Sequence, residues 1–203
     1  MYVAIKPLNF RINILAFFAL ALLFMLNGIE ATAILLFSAI LHEAAHFTAI
    51  KLFKAPAQRF DLEFLNARII YDGSSLSPLD EVAVSLSGPL FSLLLGICGA
   101  VYASISDSTF YAVFFAAVNT VLAAVNLLPL HNTDGGNALF YYWLWKAEAD
   151  TALRRYTAAS RIAFVFLVFV LTLLLLRTNF NISITLTLCF CVFFTFIDSK
   201  TAK

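Results

Sequence analysis

Two histidines four residues apart, His42 and His46, bracket Glu43 in the run His42-Glu43-Ala44-Ala45-His46, which lies inside a long apolar stretch. On a helix this spacing puts both imidazoles on one face, with a carboxylate beside them. Such a pair supplies two of the three protein ligands that catalytic zinc commonly takes, and a neighbouring Glu is placed to act as a general base. Charged and metal-binding groups are costly in a bilayer and seldom occur there without a task, so the pattern implies metal-dependent hydrolysis within a membrane.

A third ligand has to come from elsewhere, and acidic residues in or beside the apolar runs are few. Asp134 stands out in the segment Asn126-Leu127-Leu128-Pro129-Leu130-His131-Asn132-Thr133-Asp134-Gly135-Gly136. Pro129 lacks an N–H and clashes with the preceding turn, so a helix should end there. Gly135 and Gly136 are expected to let the backbone turn sharply after the carboxylate. Irregular backbone at membrane depth is tolerated only where it is buried in protein or lines a wet cavity. Taken alone, Asp-Gly would be an ordinary surface turn; beside the histidine pair it reads as a ligand. His131 fits a polar position at the membrane–water boundary, with an outer-shell donor, a pH-sensitive gate or a transient ligand as alternatives. Asn119 is expected to face the protein interior.

The elements that must hold these residues are membrane spans. Of 203 residues, 62% are hydrophobic and 12% charged, against about 45–50% and about 25% in a soluble domain. Too little polar surface is available to cover a water-soluble globule. The net charge of +1 gives no reason to expect nucleic acid. Cys98, Cys189 and Cys191 fall in apolar runs and match no metal or redox spacing, which makes them small buried hydrophobes. The first apolar run is too long for a cleavable signal peptide and lacks a small-residue cleavage site.

A span needs roughly 20 apolar residues, and about six runs qualify: Ile12–Ile29, Ala31–Leu52 with the histidine pair, Val82–Ser104, Thr109–Leu128, Ser160–Leu176 and Ile182–Ile197. With the N-terminus cytoplasmic and the sides alternating, every basic residue except Arg177 falls on one side. The positive-inside rule then puts both termini and the two longer loops in the cytoplasm. In the first loop, Phe60, Leu62 and Phe64 alternate with charged residues, and a second β-prone stretch runs to Tyr71. The pair reads as a short hairpin that must lean on the helices or the membrane surface. The second loop, about Asn137 to Ala159, opens with an aromatic cluster suited to an interfacial helix. The expected fold is an all-α polytopic membrane protein with a short membrane-associated β-hairpin. It is organised as one domain over residues 1–203, with no appended soluble domain.

The two motifs together, HEAAH on an early span and NLLPLHNTDGG after a later one, resemble the site-2 protease family of intramembrane zinc metalloproteases. The small six-span layout is most similar to the sporulation-type branch, whose members process a sigma-factor precursor. The resemblance implies His42, His46 and Asp134 as ligands of one zinc ion and Glu43 as catalytic base. It also implies that Asn126 and Pro129, matching an Asn-x-x-Pro element, engage substrate. Asn132-Thr133 departs from the Pro-Leu often found before the Asp-Gly. Asn137 replaces a basic residue, and Ser92 stands where Asn is common after a Gly-Pro element, here Gly88-Pro89. A C-terminal nucleotide-sensing domain found in some sporulation-type members is not expected.

Peptide-bond hydrolysis near the cytoplasmic end of a substrate span is the function that follows. A helical substrate must unwind before attack, and a strand edge can hold it extended by strand addition. The Phe60–Tyr71 hairpin offers that edge, with Phe64 and Ile70 as substrate-binding residues. The partners implied are a membrane-associated protein substrate, such as a sigma-factor precursor or an anti-sigma factor, inhibitory or regulatory membrane proteins, and the lipid bilayer. The expected location is a bacterial plasma membrane. Two other classes use the same residues: a metal-ion transporter with His and Asp as a transient site, and a non-catalytic scaffold of the same shape. Metal flux undiminished by Glu43→Gln would mark the transporter, and a missing ligand would mark the scaffold.

Overall fold

A computed structural model describes residues 9–12, 14–62, 67–106, 109–131 and 133–177. The chain order is β1 (Asn9–Ile12), α1 (Ile14–Leu52), β2 (Ala57–Leu62), β3 (Ala67–Tyr71), α2 (Pro78–Ile105), α3 (Thr109–Leu127), α4 (Asp134–Lys146) and α5 (Ala149–Arg177). Four helical stretches are long and apolar enough to cross a membrane among the described residues: Gly28–Leu52, Pro78–Ile105, Phe110–Leu127 and Ala149–Arg177. They correspond to the second through fifth expected spans. The sixth expected span lies outside the described residues.

The first expected span is the N-terminal arm of α1, residues 14–27. Helix α1 has 39 residues and would be about 58 Å long if straight, at about 1.5 Å per residue. It is not straight. Gly28 has φ 77° and ψ 178°, a conformation that essentially only glycine adopts without strain. Both ends of α1 are tied to one sheet, since β1, just before the helix, pairs with β2, which begins soon after it. The bend at Gly28 therefore turns one long helix into two arms.

The hairpin is present, as β2 and β3 paired antiparallel from Leu62↔Ala67 to Ala57↔Tyr71. It is extended by β1, which pairs with β2 in parallel and gives the order β1-β2-β3. The short Asn9–Ile12 strand carries no turn or alternation signal strong enough to separate it from the apolar run that follows. Strand β3 is left at an edge. The sheet leans on the helices through a small apolar core of Ile50, Ala55 and Val84, against which Phe53, Ile69, Tyr71 and Leu76 pack.

Helix α2 is the centre of the assembly. It starts at a capping box in which Ser77 and Asp80 satisfy each other's backbone N–H groups, with Pro78 in the first turn. Its buried residues Glu81, Ser85, Gly88, Ser92, Gly96 and Gly99 recur every three or four positions and form one inward stripe. This face meets α1, α3 and α4. Leu90, Leu94 and Ile97 point outward, as do Leu36, Phe37 and Ile40 on α1. Such continuous exposed apolar surface suits lipid as solvent. Helix α5 packs on α4 and is the most exposed of the four candidate spans. It begins at Ala149, well before the expected Ser160, so the second loop is much shorter than the sequence indicated.

Candidate metal centre

The inward stripe of α1 runs Ser38, His42, His46, Ile50, one residue per turn, and all four are buried. His42 and His46 are only 4% and 9% exposed. Their Nε2 atoms are 3.3 Å apart. Asp134, whose Cα is 92 positions away in sequence from that of His42, brings its Oδ2 to 3.1 Å from His42 Nε2 and to 3.2 Å from His46 Nε2. The three residues form the one potential metal-binding group among the described residues.

The donor chemistry fits a divalent ion. His46 Nδ1 lies 2.8 Å from the carbonyl oxygen of Val84. A carbonyl can only accept, so Nδ1 carries the proton, and Nε2 of the neutral ring presents a lone pair. His42 Nδ1 is held by Ser92 Oγ at 2.9 Å. Two imidazole nitrogens and a carboxylate oxygen thus converge on one point. A proton can bridge only one pair of them, whereas a cation serves all three. A tetrahedral zinc ion bound at about 2.0–2.1 Å sets its ligand atoms about 3.3–3.4 Å apart. The observed edges of 3.1, 3.2 and 3.3 Å are close to one face of that tetrahedron.

Each ligand is positioned by its element. Asp134 is the first residue of α4, where the helix dipole favours a carboxylate. Thr133 caps that helix by accepting from Gly136 N, and its hydroxyl is also 2.6 Å from the Leu128 carbonyl and 3.0 Å from that of Leu130. This ties the start of α4 to the irregular segment after α3, which ends at Leu127, just before Pro129 as the sequence indicated. The role expected for Gly135 and Gly136 needs correction. Neither has positive φ, and both lie in the first turn of α4. A Cβ at Gly135 would meet the Leu127 and Leu128 carbonyls, and one at Gly136 the Leu130 carbonyl. Glycine is required there for close backbone approach rather than for a turn.

Gly88 and Ser92, noted in the sequence only as a Gly-Pro element and a departure from the Asn that often follows it, both turn out to touch the histidines. Gly88 faces the imidazoles so closely that a Cβ would fall on His46 Nε2 and 2.8 Å from His42 Nε2. Ser92 is fully buried, at 0% exposed, and orients His42. The Gly-Pro element was the sequence signal for both, and their spacing of four puts them on one face of α2.

Among the other sequence candidates, Glu43 lies three residues before His46 and within electrostatic reach of His42, His46 and Asp134. Asn126 is half-buried and donates to the Leu122 carbonyl on its own helix at 3.0 Å. Pro129 is half-buried in the segment between α3 and α4. Ile70 lies on edge strand β3 and lines a cleft against α4. Phe64 lies outside the described residues. His131 stands apart from the metal group, 2.8 Å from the Tyr156 hydroxyl on α5. Asn119 is buried as expected and donates to Ser38 Oγ at 2.9 Å, linking α3 to the histidine stripe one turn before His42.

No protein-family model matches the chain, and no curated protein sequence matches it. Among solved structures, the Site-2 Protease from Methanocaldococcus jannaschii superposes over 95% of this chain and 91% of its own, with 21% sequence identity and a TM-score of 0.64. The chain therefore shares the fold of that protease over most of its length.

Proposed function

We propose that the chain is an intramembrane zinc metalloprotease that hydrolyses a peptide bond in or near the membrane segment of a protein substrate. The observation that carries this reading is the convergence of His42 Nε2, His46 Nε2 and Asp134 Oδ2 at tetrahedral-face spacing on a buried point. These three residues would hold the ion. A zinc ion bound there supplies a Lewis acid that polarises the scissile carbonyl and acidifies a water.

The chain's own groups do the rest. Glu43 accepts the proton lost by the attacking water as the C–O bond forms, and it passes that proton to the amine nitrogen as the C–N bond breaks. The Val84 carbonyl fixes the tautomer of His46 and Ser92 orients His42, which is the role of outer-shell partners at metal sites. Edge strand β3, with Ile70, is suited to hold an unwound substrate segment by strand addition. Asn126 and Pro129 belong to the substrate path in this reading, at the end of α3. Charge asymmetry along the sequence supports a cytoplasmic opening. The sequence resemblance supports a sigma-factor precursor or an anti-sigma factor as substrate class.

Purified protein in nanodiscs, incubated with a transmembrane reporter, tests this. Cleavage should stop when a chelator removes the metal and return with added zinc. Glu43→Gln should lower turnover by about 100- to 10,000-fold, the usual worth of a general base, with zinc still bound. Cleavage that persists in Glu43→Gln would remove the protease reading. Zinc flux into liposomes with unaltered rate in that variant would replace it with transport.

A further inference from the structure

A second site lies away from the metal group. A cleft of about 490 Å³ opens between β3, the start of α2 and α4. Its floor is Glu81, only 6% exposed. The Tyr71 hydroxyl donates to Glu81 Oε2 and is the one hydrogen-bond donor to this carboxylate among the described residues. The other oxygen, Oε1, faces Gly73, at a position that a Cβ on that glycine would fill. Tyr141 of α4 also faces Glu81, and its phenol is pushed up by burial and by that negative charge. A carboxylate can accept about four hydrogen bonds, so one donor leaves it short.

The lining is one-sided in charge. Among the described residues, Glu81 is its one acid, and no Lys, Arg or His lines the cleft. The aromatic rings of Tyr71 and Tyr141 add faces that attract a cation. Ile69, Ile70 and Leu144 provide apolar wall for a methylene stem. A long side chain with a cationic tip fits each of these features; an acidic one would be repelled by Glu81, and a short polar one would leave the apolar wall uncovered.

The cleft shares two walls with the metal group. Glu81 precedes Gly88 by seven residues on α2, and Tyr141 follows Asp134 by seven on α4. Two helical turns are about 10 Å. A substrate strand rises about 3.3 Å per residue, so a chain lying along β3 covers that distance in about three residues.

We propose that this cleft is a specificity subsite that takes a lysine or arginine side chain of the substrate, about three residues from the scissile bond. The assignment rests on the protease reading for the position of that bond. It concerns a contact that the chemistry at the metal does not require.

Binding can be measured without turnover. The full chain carrying Glu43→Gln, in nanodiscs, is titrated with fluorescent, extended apolar decapeptides that place Lys, Arg, norleucine or Glu at one scanned position. Lys and Arg peptides should bind about 10-fold tighter than the norleucine peptide, as expected for a hydrogen bond to a charged group, and the Glu peptide should bind weakest. Adding Glu81→Gln, which keeps an acceptor for Tyr71, should erase the preference. Equal binding of Lys and norleucine peptides, or a Lys preference that survives Glu81→Gln, would overturn the proposal. The comparison among peptides on the Glu43→Gln chain alone decides the matter if Glu81→Gln does not fold. Failure of the protease reading is seen separately, as no zinc-dependent cleavage by the unmutated chain.

Discussion

Ser92→Ala isolates one hydrogen bond whose loss should be felt at the metal. Ser92 Oγ is 2.9 Å from His42 Nδ1, at a residue with no exposed surface. Alanine removes the oxygen and leaves a space too small and too apolar for water to replace it well. The ring nitrogen then loses its partner in a buried site, a cost of about 1–3 kcal/mol. If that cost falls on the bound geometry, zinc affinity drops by about 5- to 150-fold, overlapping the 10- to 100-fold loss usual for outer-shell changes. The assay is competition for zinc against a chromophoric chelator, with protein in nanodiscs and helicity checked by circular dichroism. Ser87→Ala serves as the comparison. Its hydroxyl donates mainly to the Val84 carbonyl at 2.7 Å and lies 3.3 Å from His46 Nδ1, so its loss should cost less. A Ser92→Ala protein that folds and binds zinc within about twofold of the parent would refute the idea that this hydroxyl orients His42.

Gly88→Ala should abolish zinc binding while α2 remains helical, because the added methyl group occupies the space of the two Nε2 atoms; zinc stoichiometry after dialysis measures this. Gly28→Ala should destabilise the protein by about 1–3 kcal/mol, the strain of a non-glycine residue at φ 77°. Its loss would be read as a lower midpoint in denaturant titration in mixed micelles, and an unchanged midpoint would mean that the bend does not need glycine.

The local code was readable in the chain. The spacing of His42 and His46 put them on one helical face, the apolar runs announced spans, and Pro129 marked where α3 had to stop. Alternation from Phe60 to Phe64 and the β-prone stretch ending at Tyr71 pointed to the hairpin. These features depend on neighbours within a turn or two, and helix and strand periodicity write them directly into the sequence.

Contacts between distant segments were not readable in that way. Only the packing of α4 against α2 brings Asp134 to the histidines across 92 positions. Only the crossing of α1 and α2 makes Gly88 a space for imidazoles and Ser92 a partner of His42. The glycines after Asp134 looked like turn residues because glycine permits both turns and close approach, and the distinction lies in carbonyls that arrive from another segment. Strand β1 was hidden because its partner lies far along the chain, beyond the whole of α1. The sequence by itself specified which groups could bind a metal and that the two histidines share a helix face; that Asp134 opens a helix, it did not. Tertiary structure decided that three of them meet at one buried point, since a ligand cage is a property of packed faces and not of any single helix.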